Sequence, residues 1–297
     1  MISVVLPTYN RAFCISQSIE SVLNQTFKDF ELIIVDDNSN DNTEDIVDNF
    51  NDQRIRYFKL PINKGACYAR NFGIYKANFE FVAFQDSDDI WLPEKLQIQY
   101  DALSKHISSY AMVFCSFIKK SGDKKIIVPT RNLKETTGNF FHSLIKGNFI
   151  STQTILCKKS ILTDLEGFDE SFPALQDWDL CLRISFEHKI YHVRSPLVVV
   201  ELTPNSITKN RKKVLTAMEM LLKKHKQKLT EKELKIWQYK MGHIAKSALE
   251  LEKSQEIFKK LSNFHTRLGL FAFYHLLIVS FKKANKKYIY INRRTKK

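Results

Sequence analysis

The chain has 297 residues, 44% of them apolar, enough to bury one large core or a domain with an extension and unlike a disordered or collagen-like composition. Lysine and arginine total 46 against 32 acidic residues, a formal net charge of +14, which raises the prospect of an anionic partner surface. The five cysteines, Cys14, Cys67, Cys115, Cys157 and Cys181, are odd in number and scattered, without a Cys-x-x-Cys pair, which argues against a structural zinc site or a disulfide framework and for reduced thiols.

In chain order, residues 2–6 form a short apolar run ended by Pro7 and predict a first strand that begins at once, with no signal peptide ahead of it. Ile15, Ile19, Val22 and Leu23 recur at helical spacing. Residues 31–35 predict a second strand ended by Asp36-Asp37, and 43–50 a helix that Asp41 or Asn42 would cap. Residues 54–60 alternate weakly, as an edge strand does, and 66–77 predict a helix in spite of Gly73. Residues 79–84 read as a buried strand ended by Asp86, and Pro93 opens a helix with Leu96 and Leu103 on one face. From about 110 the pattern is less regular, with strands over 111–118, 126–129, 154–157 and 197–202 and helices over 140–145 and 177–186.

Repeated strand–helix alternation predicts an α/β chain with a mostly parallel, doubly wound sheet, in which ligands sit beyond the carboxyl ends of the strands. Three polar stretches fall at those ends and so at one rim: Pro7-Thr8-Tyr9-Asn10, Asp36-Asp37 and Asp86-Ser87-Asp88-Asp89. Three acids within four residues repel one another, and a divalent cation with a preference for hard oxygen ligands, Mn²⁺ or Mg²⁺, removes the repulsion. Magnesium commonly takes one or two carboxylates and completes its shell with substrate phosphates, so the cluster suits a diphosphate-bound metal better than an all-protein cage. The competing explanation is a turn in which Asp89 caps the helix opened by Pro93.

Further motifs fall in order on these elements: Pro7-Thr8-Tyr9-Asn10-Arg11, then Ser21-Val22-Leu23-Asn24-Gln25-Thr26, and the second strand through Asp37 with Ser39, Asp41 and Thr43. Asn63-Lys64-Gly65 with Ala69-Arg70-Asn71 follows, and then the Asp-x-Asp pattern of Asp86-Ser87-Asp88. Together they resemble a family 2 glycosyltransferase of the GT-A fold, closely over about 1–100 and more loosely to about 200. The resemblance implies a Rossmann-like GT-A domain over 1–205, with a donor half to about 105 and an acceptor half beyond it, and a C-terminal helical extension over 206–297. It implies that Asp37 hydrogen-bonds the nucleotide base, that Pro7, Thr8 and Tyr9 line the base and ribose, and that Asp86 with Ser87 lies by the ribose or sugar. Asp88 would bind the metal and Arg70 would touch the donor, although Arg70 on a helix surface is an alternative.

Transfer with inversion needs a base for the acceptor hydroxyl. Gly167-Phe168-Asp169-Glu170, followed by Gln176-Asp177-Trp178-Asp179 and Leu182-Arg183, resembles the family's second signature, which ordinarily reads Glu-Asp where this chain has Gln176-Asp177. Asp177 is then the implied catalytic base, with a helix N-cap as the alternative, and the missing charge at Gln176 would lower its pKa slightly. His192 is a further candidate metal ligand by resemblance, against the commoner fate of a packed histidine.

The charge is uneven. Residues 1–204 hold 22 basic and 26 acidic side chains, a net of −4, whereas 205–297 hold 24 and 6, a net of +18. The apolar run 268–281 is fourteen residues, short of the roughly 20 a spanning helix needs, and cations follow it closely. Such a helix suits the interface of an anionic membrane through 264–297, with packing back onto the body as the alternative. The expected activity is transfer from a nucleotide sugar, UDP most often, to a glycan or lipid-linked glycan of the lipopolysaccharide, capsule or teichoic type, at the inner face of the cytoplasmic membrane. A nucleotidyltransferase on a similar sheet and a nucleic-acid binder acting through the tail are the rivals. The first lacks a glycine- and basic-rich first loop, and the second lacks any RNA- or zinc-binding motif.

Overall fold

The computed structural model describes residues 1–105, 108–130, 133, 137–201, 210–262 and 266–294, with side chains of the last helix described as far as Lys283. The chain divides into two compact units, Met1–Ser171 with Gln176–Thr203, and Phe172–Leu175 with Pro204–Lys297. The boundary expected at 205–206 lies outside the described residues.

In the first unit, β1 (Ile2–Thr8), β2 (Phe30–Asp36), β3 (Ile55–Lys59) and β4 (Phe81–Phe84) run parallel in the order β3-β2-β1-β4. Every residue of β1, β2 and β4 is buried, which is why these strands read as unbroken apolar runs rather than alternations. The weakly alternating β3 is the edge. β1 continues past Pro7, with Pro7 opposite Val35 and Thr8 opposite Asp36. β4 pairs with β1 only as far as Val5, so the missing proline N–H leaves no ladder partner unserved on that side.

Between these strands lie α1 (Ile15–Leu23), α2 (Thr43–Asp48) and α3 (Ala66–Lys76). Gly73 is what lets α3 lie close on the sheet, because a Cβ there would stand 2.3 Å from Val5 Cγ1. Beyond β4 come β5 (Asp89–Trp91), α4 (Lys95–Ser104), β6 (Met112–Ser121), β7 (Lys124–Val128), β8 (Thr137–Gly138), α5 (Phe141–Ile145), β9 (Ile155–Lys158), α6 (Lys159–Asp164), α7 (Gln176–Glu187) and β10 (Ile190–Glu201). β9 joins β4 antiparallel, and the sheet continues β6-β10-β5, so the two halves meet as one mixed sheet. The fold class expected from the sequence is the one found.

One local reading changes. Asp89 does not cap the helix after Pro93, which begins at Lys95 behind Glu94. Asp89 instead opens β5, is buried opposite Val200 of β10, and its carboxylate accepts a backbone hydrogen bond from Glu201. Lys95 is fully buried, with its ammonium 3.7 Å from the centre of the Trp91 ring and no hydrogen-bond partner among the described residues. Burial lowers its pKa to about 8, so the folded chain holds this proton less tightly than the unfolded chain does. Stability from this group therefore rises as pH climbs from about 8 toward the ordinary lysine value of 10.5. Lys95→Met is expected to raise the melting temperature at pH 7 and to lose that advantage above pH ~10. Thermal unfolding at both pH values checks it, and a variant less stable at pH 7 would show that the ammonium–indole contact outweighs the burial.

The second unit is helical: α8 (Arg211–His225), α9 (Glu231–Ser247), α10 (Leu251–Leu261) and α11 (Arg267–Arg294). Thr230 and Glu233 form a capping box at the start of α9. Leu251, Phe258, Ala272 and Val279 make a small core between α10 and α11.

Candidate active site

Because β1, β2 and β4 are parallel, their carboxyl ends share one edge of the sheet, and the backbone there is sewn together. Asp37 N donates to Thr8 O at 2.8 Å, and Gln85 N donates to Val5 O at 2.9 Å. The loop after β1 is tied to the loop after β2: Asn10 N donates to Ser39 Oγ, Arg11 N to Thr43 Oγ1 and Ala12 N to Asp41 Oδ2. The two acids ending β2 divide their work. Asp36 accepts from Ser39 N and the Tyr57 hydroxyl, a structural role. Asp37 accepts from Lys64 N and Gly65 N, both at 2.7 Å, just ahead of α3. A carboxylate has about four acceptor sites, so two remain for a ligand. Pro7 and Thr8 are buried, Thr8 Oγ1 has no partner among the described residues, and Tyr9 stands open to solvent at the rim.

The acidic loop is held from below by α1. Ser18 Oγ donates to Asp86 O, Cys14 Sγ to Ser87 O at 3.4 Å, and Gln85 Nε2 donates to both Ser18 Oγ and Asp89 O. Ser87 is itself buried. These contacts fix the backbone and leave the side chains of Asp86 and Asp88 part-exposed at the rim. Asp86 pairs with Arg70 at 2.6 Å, and Asp88 lies 3.9 Å from the Arg11 guanidinium. Burial and then the Asp86 charge raise the pKa of Asp88, and burial with both neighbouring acids raises that of Asp89 well above the usual range.

Among the described residues, no three acids, histidines or cysteines converge as a cage for a metal ion. The repulsion at Asp88 nevertheless marks a place where a cation is favoured, and a lone carboxylate beside Asp86 fits an ion that completes its shell with ligand oxygens. The residues present thus fit Mn²⁺ or Mg²⁺ on a diphosphate. His192 lies on β10. Its Nε2 lies 3.0 Å from Ser116 Oγ, its ring stacks on Phe114 with centroids 4.5 Å apart, and burial lowers its pKa to about 4. It sits eight residues along β10 from Val200, the partner of Asp89.

Asp177 lies in the first turn of α7. Its Oδ1 accepts from Trp178 N at 2.7 Å, and its side chain is also hydrogen-bonded to Asn148. Burial raises its pKa to about 6, outweighing those bonds and the Arg70 charge, so any lowering from the uncharged Gln176 is the smaller effect. Arg70 is buried and its charge acts on Asp177 as well as on Asp86, which puts both acids under one guanidinium.

A turn between β9 and α7 locks the two helices that carry these groups. Asn71 Nδ2 donates to Phe168 O at 2.8 Å and Phe168 N donates back to Asn71 Oδ1 at 2.8 Å, while Arg183 Nη2 donates to Gly167 O at 2.7 Å. Gly167 has φ 65°, and a Cβ on it would stand 2.3 Å from Asn71 Oδ1. Asn71→Ala should therefore destabilise the fold by about 2–3 kcal/mol, since it strands both polar groups of Phe168. Urea unfolding checks it, and a loss under about 0.5 kcal/mol would show that the turn holds without Asn71. Asn71, Gly167, Phe168 and Arg183 all stand in motifs visible in the sequence, though not their pairing; the support from Ser18 and Asn148 carries no sequence signal, and Gln85 directly precedes the acidic run.

Residues 3–165 match the family described as Glycosyl transferase family 2. The chain is 32% identical over 224 residues to the Escherichia coli UDP-Glc:alpha-D-GlcNAc-diphosphoundecaprenol beta-1,3-glucosyltransferase WfgD, covering 72% of this chain and 82% of that one. The fold is shared with TarS of S. aureus, solved with UDP-GlcNAc, at a TM-score of 0.62 and 20% identity over 87% of this chain and 83% of that one. It is shared also with the mannosyltransferase PcManGT of Pyrobaculum calidifontis, solved with GDP-Man and Mn²⁺, at a TM-score of 0.62 and 15% identity over 97% of this chain and 82% of that one. The fold and rim define a GT-A glycosyltransferase. This chain belongs to glycosyl transferase family 2.

Proposed function

We propose that this enzyme is an inverting transferase that moves a sugar from a UDP-sugar to a hydroxyl of a growing bacterial surface glycan carried on a lipid diphosphate. The observation that supports it most is the buried Arg70, paired with Asp86 on the donor side and acting on Asp177 on the other. In this reading the catalytic domain spans 1–205, with the donor bound mainly by residues before about 105. Asp37 takes the base N–H with its two remaining acceptor sites. Pro7, Thr8 and Tyr9 line the base and ribose, and Asp86, Ser87 and Arg70 hold the ribose and sugar in line with the acceptor. Mn²⁺ or Mg²⁺ held by Asp88 would neutralise the charge developing on the leaving diphosphate.

Asp177 accepts the acceptor hydroxyl proton as that oxygen attacks the sugar anomeric carbon from the face opposite the diphosphate, which departs with the bonding pair. A base with a pKa near 6 is ionised at neutral pH yet still basic enough for that task. The lipid-linked acceptor is drawn from the diphosphoundecaprenol substrate in the name of the E. coli relative. In this reading the enzyme works peripherally at the inner face of the cytoplasmic membrane, with 264–297 toward the lipid. Calorimetric titration with UDP, with and without Mn²⁺, tests the donor half. Binding that tightens at least about tenfold with the metal is expected, and no binding of UDP or any other nucleoside diphosphate would refute the reading.

A further inference from the structure

The helix α11 carries apolar side chains on two opposite faces, and one of them is used inside the chain. Ala272 and Val279, seven residues apart, are buried with Leu251 and Phe258, which fastens α11 to α10. Leu270, Tyr274, Leu277 and Phe281 follow one another at steps of four, three and four, which on an α-helix puts them in one stripe on the side away from that contact. They are 50%, 59%, 55% and 69% exposed. At the helical rise the stripe runs about 17 Å. Single exposed apolar residues are ordinary, but a continuous row of this length marks a contact surface.

Charge decides between the possible covers. Arg267 stands exposed just before the stripe and Lys282 just after it, while Lys283 turns to α10, where its ammonium lies 3.5 Å from Glu252. Lys286, Lys287, Arg293 and Arg294 come next in the sequence, and 205–297 carries a net of +18. Two copies of so cationic a surface repel each other, whereas an anionic leaflet attracts it and accepts the apolar row between the charges. No helix among the described residues is long and apolar enough to cross a membrane, which leaves lying in the surface as the mode of contact.

We propose that α11 is an in-plane membrane anchor. The stripe Leu270–Tyr274–Leu277–Phe281 enters the acyl boundary of an anionic leaflet, Arg267 and Lys282 lie among the headgroup phosphates, and the Ala272–Val279 face stays on α10. This rests on the membrane placement given under the proposed function and supplies its surface and orientation, but it does not depend on the sugar chemistry. The test is flotation of the full chain with vesicles of phosphatidylcholine alone or mixed with phosphatidylglycerol. The wild type should float with the anionic vesicles and weakly with the neutral ones. Leu277→Glu/Phe281→Glu should lose at least about a hundredfold in partition, because two buried apolar side chains are replaced by anions. Arg267→Glu/Lys282→Glu should lose binding to the anionic vesicles and keep the wild-type weak binding to neutral ones.

Because the substituted side chains are exposed, all variants should keep the wild-type circular dichroism and melting curve, so a loss of flotation reads as a loss of contact. A wild type that stays with the soluble fraction, or stripe variants that float unchanged, would overturn the proposal. So would a wild-type dimer in sedimentation that Leu277→Glu/Phe281→Glu splits, which would give the stripe to a second copy. A chain that floats as expected yet binds no nucleotide would leave the anchor standing and refute the transferase assignments instead.

Discussion

Asp177→Asn is expected to leave UDP-sugar binding within about threefold of wild type and to cut transfer by roughly 10³-fold, the range of a lost general base. The size follows from geometry: the side chain is half-buried, oriented by Trp178 N and Asn148, and lies within the field of Arg70 and Asp86. Asparagine fills the same space and cannot take the proton. The pH profile gives a separate readout. Burial sets the pKa of Asp177 at about 6, and the carboxylate is the active form, so transfer should fall about tenfold per pH unit below 6 and level off above it. Removing the Arg70 cation takes away a charge that lowers this pKa, so Arg70→Met should move the acid limb upward. Steady-state kinetics from pH 5 to 8 on both variants checks the pair of results. A profile that keeps its limb near pH 6 in Asp177→Asn would hand the base to another residue.

The second large effect is at Asp88. Replacing it with asparagine removes the charge that would hold the cation, and turnover should drop by about 10³-fold with the Mn²⁺ needed for half-activation rising at least about a hundredfold. The same change relieves repulsion in the acidic loop, since burial and the Asp86 charge both raise the Asp88 pKa. The variant should therefore melt no lower than wild type, the usual relation where a site stores unfavourable charge for activity. Activity retained with a lowered melting temperature would mean that Asp88 is a structural residue of the loop.

The frame of the molecule was readable because its strands are parallel and buried on both faces, so β1, β2 and β4 appear as plain apolar runs that stop where the polar rim begins. Asp89 was misread for a physical reason. A three-residue strand such as β5 exists through its pairing with Val198–Val200 far along the chain, and no local pattern announces it. Gly73 looked like a weakness in a helix and is the point where that helix must touch Val5. Arg70 and Asn71 are neighbours in sequence, yet one turns to the acidic loop and the other locks the 167–170 turn, a division that only the packing of α3 determines. The stacking of His192 on Phe114 likewise follows from the register of β10 against β6 and has no local signal.

The central claim is that the rim of Thr8, Asp37, Asp86 and Asp88 binds a nucleotide sugar for attack under Asp177. It is tested most directly by incubating the enzyme with Mn²⁺, a panel of nucleotide sugars and an undecaprenyl-diphosphate-linked N-acetylglucosamine acceptor, and scoring both products. Release of nucleoside diphosphate from one donor, matched mole for mole by a new glycosidic bond of inverted configuration, is the predicted result. Release of pyrophosphate instead, or no turnover on any donor, would contradict it.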